Sequence, residues 1–187
     1  MPDRDGTSVS AASSGAGSSP PDSSAAEGSA GAADARDGGP PGTPPRVDFY
    51  LIEEAAPTAR LKLACRLAEK AYLASQRTLI WHCERAELES LDELLWTFAD
   101  GSFVPHEWLT SNGLAEAPVL LSAGTPPAAA FDFVVNLAAD PPPFLQLTRR
   151  VAEIVDGDET RRRAGRVRFK AYRELGIEPG THTVRAE

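Results

Sequence analysis

The residues best placed to do chemistry lie near the C-terminus, in Arg161-Arg-Arg-Ala-Gly-Arg-Val-Arg-Phe-Lys-Ala-Tyr-Arg173, which carries seven Lys/Arg and no Asp or Glu. The chain has a net charge of −8, so setting those seven cations aside leaves −15 on everything else. A compact cationic patch on an anionic body suits a small anionic target, because the body repels an extended one. Arg162, Arg166, Lys170 and Arg173 follow at i, i+4, i+8 and i+11, which lines them along one side of a helix, with Phe169 one turn past Arg166. Such a face suits peptide docking. A basic helix face is also ordinary solvated surface, but solvated faces usually mix signs, and no acid falls between 161 and 173. Tyr172, on a neighbouring face, is a candidate inward anchor for the same helix.

A second stretch stands out for its aromatics. Leu91-Asp-Glu-Leu-Leu-Trp96 is followed shortly by Ser102-Phe-Val-Pro-His106, which puts a Trp at a helix end and a Phe beside a Pro in a loop. These residues can close a core or form an interface, where aromatics on rigid loops often dominate the binding energy.

Catalytic patterns are missing from the sequence. Glu53-Glu54-Ala-Ala-Pro57 follows the first strand and offers carboxylates and an imino nitrogen where a phosphate would need N–H donors, so no nucleotide-binding loop is expected. There is no GxSxG elbow. His82 and Cys83 are adjacent, and a nucleophile pair would need both on one face, whereas neighbouring strand residues point to opposite faces; a core Cys beside a surface His is the expectation. His106 and His182 are scattered, and no His or Cys spacing suits a metal. Glu84, Glu87 and Glu89 read as the wet side of a helix. No cofactor is implied.

The elements that must position these residues follow from periodicity. Residues 1–45 form a low-complexity tail of mostly Gly, Ala, Ser and Pro, and the first aromatic of the chain is Phe49. Such a segment buries too little apolar area to offset its ordering entropy, so it is expected to be a disordered tether or an extension without specific contacts. Residues 46–187 make one domain. Val47–Ile52 and Arg77–Cys83 read as buried strands. Between them runs a helix from Pro57-Thr58, with Leu61, Ala64, Cys65, Ala68 and Tyr72 on its apolar face and Arg60 among its wet residues. Glu84 to about Phe98 gives a second helix with Leu88, Leu91 and Leu95 inward and Trp96 a further inward candidate. Ala117–Ser122 and Phe131–Leu137 are further strands, and Phe144, Leu147, Val151 and Ile154 keep helical spacing from Phe144 to Val155. Asp156-Gly-Asp158 then caps a last helix over 159–175, with Gly176 at its C-terminal stop. Strand–helix alternation predicts an α/β fold with a mainly parallel open sheet. Both cysteines are expected as buried free thiols in a reducing cytoplasm, and no apolar run approaches membrane-span length. A pI near 5.0 argues against a non-specific grip on duplex nucleic acid.

In order along the chain, the opening FYL strand, LDELLW, SFVPH, the APV strand and RFKAYR with its following Gly are similar to the chi subunit of bacterial DNA polymerase III, over about Val47 to Ile177. The resemblance implies a Rossmann-like three-layer α/β fold and a non-catalytic clamp-loader accessory subunit. Such a subunit binds the acidic C-terminal tail of single-stranded DNA-binding protein and joins the clamp loader through the psi subunit, so that it reaches DNA only indirectly. Carried onto this sequence, the tail-binding positions are Val155, Arg162, Arg166, Phe169 and Lys170, and the psi-facing aromatics are Trp96 and Phe103. Phe169 stands where the family commonly has Tyr, and Arg162 where it commonly has Lys, so charge and aromaticity survive but a hydroxyl contact is lost. An acidic peptide with an apolar end and a free carboxylate needs cations around an apolar notch. Three or four exposed ion pairs and one apolar anchor imply binding on the order of micromolar that weakens with salt. The competing classes are a drifted α/β nucleotide-binding protein or enzyme, and a direct single-stranded DNA binder that stacks bases on Phe169 or Tyr172.

Overall fold

The computed structural model describes residues 43–55, 57–111 and 115–185, so the tail expected over 1–45 lies almost entirely outside the described residues. In chain order the elements are β1 Arg46–Ile52, α1 Pro57–Leu73, β2 Thr78–His82, α2 Arg85–Thr97, β3 His106–Trp108, β4 Val119–Ala123, β5 Phe131–Asn136, β6 Thr148–Val155, α3 Glu159–Glu174 and β7 Gly180–Val184, with a 3₁₀ turn at Leu145–Leu147 before β6. The strands form one seven-stranded sheet in the order β3-β4-β2-β5-β6-β1-β7, and every pairing is parallel. Parallel strands need cover on both faces, and the helices divide accordingly. Leu63, Ala64, Cys65 and Ala68 of α1 and Leu88, Leu91 and Leu95 of α2 pack on Ile80, Leu121, Val135 and Ile154. Tyr172 and Phe169 of α3, with Phe144 from the β5–β6 connection, cover Phe49, Trp81, Val134 and Val151 on the opposite face. The result is a three-layer α/β fold.

The structure differs from the sequence reading at four places. Residues Phe144–Val155 are not a helix: only the 3₁₀ turn coils, and Thr148–Val155 is an inner strand of the sheet. A strand covered on both faces is apolar at consecutive positions, so Val151 and Ile154 satisfied a helical spacing by coincidence. Two short strands, β3 and β7, were not foreseen, because they close the two edges of the sheet and carry half-exposed side chains. The buried stripe of α1 is rotated by about one residue from the expected one. It includes Arg60, Leu63 and Ala71, while Leu61 and Tyr72 are only half-buried. Cys65 is buried, and burial lifts its thiol pKa to about 12, whereas Cys83 is exposed and its neighbour His82 is the buried one.

Helix α3 carries the basic stretch and is anchored at both ends and from beneath. Asp158 is its N-cap, accepting from the Arg161 N–H at 2.9 Å, which lowers the Asp158 carboxyl pKa. At the other end Gly176 adopts φ 77°, and the Gly176 and Ile177 N–H groups donate to the Arg173 and Tyr172 carbonyls, a Schellman stop. Beneath it, the Arg168 Nε (2.7 Å) and the Tyr172 hydroxyl (2.6 Å) donate to the fully buried Glu153 of β6, which also accepts from Asn136 Nδ2 at 2.9 Å. Burial raises the pKa of Glu153, and also that of the Tyr172 hydroxyl beside it.

Candidate peptide-binding cleft

Seven cations enter α3, and the structure sends them in different directions. Arg168 turns inward to Glu153. Arg161 forms a two-point bridge to the buried Asp156 at 2.7 and 2.8 Å, a hydrogen bond that raises its own pKa. Arg163, Lys170 and Arg173 meet Glu159, Glu174 and Glu178 at 3.1 to 3.6 Å on the solvent side. Two are left for the other flank. Arg162 donates only to backbone carbonyls, those of Glu53 (2.9 Å) and Asp156 (3.4 Å). Arg166 is 71% exposed and reaches no nearer than 4.0 Å to Glu159.

These two arginines line an open cleft of about 410 Å³ between α3 and the carboxyl ends of β1, β6 and β7. Its apolar part is Phe49, Leu51, Ile52, Val155 and Phe169, and its far wall is Thr181 and Thr183 of β7. Phe169 meets Phe49 edge to face at 5.3 Å between centroids, which fixes one side of the notch. Gly165 forms the join between helix and strand: a Cβ there would lie 2.9 Å from Val155 Cγ2. Four of the sequence-derived residues, Val155, Arg162, Arg166 and Phe169, therefore converge on one cavity. Lys170 does not line it and sits 3.6 Å from Glu174 instead. Phe49, Gly165, Thr181 and Thr183 were not singled out from sequence. A glycine inside a helix was the only available signal, and its partner Val155 was hidden by the misread strand. Glu53 also lines the cleft, so the surface is not wholly cationic.

The aromatic pair forms a second surface at the far end of α2. Trp96 and Phe103 are 54% and 59% exposed, with ring centroids 5.3 Å apart. His106 backs Trp96 at 4.9 Å, donates from Nδ1 to the Val104 carbonyl at 2.7 Å, and places Nε2 3.2 Å from Asp92. Ser102 ties the same loop to α1 by donating to Glu69. Both rings stand largely in solvent, Trp96 from the last turn of α2 and Phe103 from the loop that follows, so neither is buried in the core.

Another cavity, about 190 Å³, lies at the carboxyl ends of the central strands, where α/β folds place nucleotides. Here Arg60 bonds Glu87 and the Leu137 carbonyl, and His82 Nε2 lies 3.2 Å from Glu87. The His82 hydrogen bond, then the Arg60 charge, hold the Glu87 carboxyl below its ordinary pKa against its burial. Past the carboxyl end of β1 the Gly157 N–H donates to the Glu54 carbonyl at 2.8 Å, and a Cβ at Gly157 would lie 2.4 Å from the Ala55 nitrogen. Two loops thus close backbone to backbone where a phosphate would need room. Among the described residues no group of His, Cys, Asp and Glu could hold a metal ion, and no helix is long and apolar enough to cross a membrane.

Comparison with known proteins gives one family. Residues 45–180 match the family described as DNA polymerase III chi subunit, HolC. The chain is 42% identical over 131 residues to the DNA polymerase III subunit chi of Pseudomonas aeruginosa, covering 70% of this chain and 91% of that one. It is 26% identical over 139 residues to that of Haemophilus influenzae (74% and 96%), and 26% identical over 140 residues to that of Escherichia coli (72% and 95%).

Proposed function

Because the chain belongs to the DNA polymerase III chi subunit family, we propose that it is a non-catalytic, cytoplasmic adaptor of the replication machinery. In this reading it holds the acidic C-terminal tail of single-stranded DNA-binding protein in the cleft beside α3. It joins the clamp loader through a psi-type partner on the Trp96–Phe103 surface. The observation that carries the reading is the meeting of Arg162, Arg166, Val155 and Phe169 around one apolar notch. A terminal apolar side chain fills the notch, and the two guanidinium groups take the free carboxylate and the preceding acids. Lys170, outside the cleft, adds attraction without contact. Phe169 supplies a ring face and needs no hydroxyl partner. With two principal cations in partly exposed positions, the affinity is on the order of micromolar and falls as salt rises.

Arg166→Ala tests the cleft. Its side chain is exposed and its contact with Glu159 is long and solvated, so the variant stays close to the wild-type melting temperature. Affinity for a fluorescein-labelled tail peptide is expected to drop at least about tenfold by anisotropy. Undiminished affinity would remove the cleft from consideration. Phe103→Ala tests the second surface: the psi-type partner no longer co-purifies while peptide affinity stays the same, and retention of the partner would assign that surface elsewhere.

A further inference from the structure

We propose that the outer edge of β7 receives the backbone of the same acidic peptide as an eighth strand, just upstream of the residues that enter the cleft; this rests on the peptide reading of that cleft. β7 is the last strand of the sheet, paired on one side with β1 and, among the described residues, with no strand on the other. Every second residue of such an edge turns its N–H and C=O outward. Natural edges are commonly blunted by Pro, charges or bulges, yet Gly180-Thr-His-Thr-Val184 has neither Pro nor acid and runs in regular register with β1.

Three observations select the occupant. First, the edge is continuous with the cleft, because Thr181 and Thr183 form the cleft wall while belonging to β7. A peptide whose end lies between Phe49 and Phe169 leaves across these threonines. Second, the edge does not repel an acidic chain: no carboxylate falls between 180 and 185, and Arg185 follows the strand directly. Third, the edge is braced before any ligand arrives. The buried Asp48 of β1 pairs with His182 Nε2 at 3.1 Å and with Arg150 at 2.8 Å, and Tyr50 stacks on the His182 ring at 5.2 Å. Gly180 leaves room for this clamp, since a Cβ there would lie 2.8 Å from Asp48 Oδ1. A preformed edge spares the ordering cost that weakens peptide binding, and strand addition supplies affinity from main-chain hydrogen bonds while the notch supplies specificity.

The test uses the full chain, ¹⁵N-labelled, with a synthetic acidic peptide ending in an apolar residue and a free carboxylate. A second peptide of identical side chains is N-methylated at alternate residues upstream of its last two. At saturation the outward amides of Gly180–Val184 are expected to exchange about tenfold more slowly, and methylation is expected to weaken binding about tenfold, the effect of losing two or so hydrogen bonds. Binding of the unmodified peptide with β7 amides exchanging as in the free protein overturns the edge pairing and leaves the cleft reading standing. Slower exchange without a methylation penalty also overturns it, because burial rather than hydrogen bonding then explains the protection. If the unmodified peptide does not bind, both readings fall.

Discussion

Of the seven cations on α3, Arg162 and Arg166 face the cleft, and what lets them do so is a residue without a side chain. Gly165 brings α3 close enough to β6 that Val155 fills the space a Cβ would take, 2.9 Å away. Gly165→Ala therefore forces helix and strand apart. The expected cost is about 1–3 kcal/mol of stability, the range for overpacking a filled site, together with a loss of peptide affinity as the notch changes shape. Trimming the neighbour in the same chain, Gly165→Ala with Val155→Ala, returns much of the stability because the added methyl now occupies vacated volume. Thermal melting of the two single variants and the double variant checks this, and strictly additive losses would show that the two residues do not compete for one space. The basic helix face and Phe169 were legible in the sequence, since charge and a 3.6-residue period survive without tertiary information. Sequence could not tell which cations remain free. Arg161 and Arg168 look like their neighbours until Asp156 and Glu153 are placed beneath them.

At the scale of elements, the misread segment 144–155 is also the one that supports α3. As strand β6 it brings Glu153 under the helix, where Arg168, Tyr172 and Asn136 satisfy both carboxylate oxygens in full burial. A lone Glu between Ala152 and Ile154 reads as the wet position of a helix, and nothing local shows that its partners lie 15 and 19 residues further on. The strands with strong β-branched or apolar runs, β1, β2, β4 and β5, were legible, as were α2 and α3. The edge strands were not, because their pairing rests on neighbours and not on their own composition. The buried network makes a specific prediction. Glu153→Ala strands a buried guanidinium and costs about 3–5 kcal/mol, whereas Glu153→Leu with Arg168→Met removes both charges and costs much less. Denaturant unfolding of the two proteins separates them. Equal losses would mean that the network contributes by packing volume and not by paired charge.

At the scale of the whole molecule the net charge of −8 opposes the ligand that the cleft is proposed to take. Residues 1–42 contain six acids and two arginines, so a net −4, half of the total, lies in the segment attached ahead of β1. Whatever its conformation, a tethered anionic segment lowers the local concentration of an acidic peptide through long-range repulsion. That repulsion is screened over about 10 Å at 0.1 M salt and about 3 Å at 1 M, while the close contacts of Arg162 and Arg166 are screened less. A chain beginning at residue 43 should therefore associate with the peptide faster than the full chain at low salt, by roughly two- to threefold, with the dissociation rate unchanged. The two chains should converge as salt approaches 1 M. Stopped-flow association at several salt concentrations measures both rates directly. A gain that persists at high salt and slows dissociation would point to a different physics, direct occupation of the cleft by residues 1–42, because only short-range contact survives that screening.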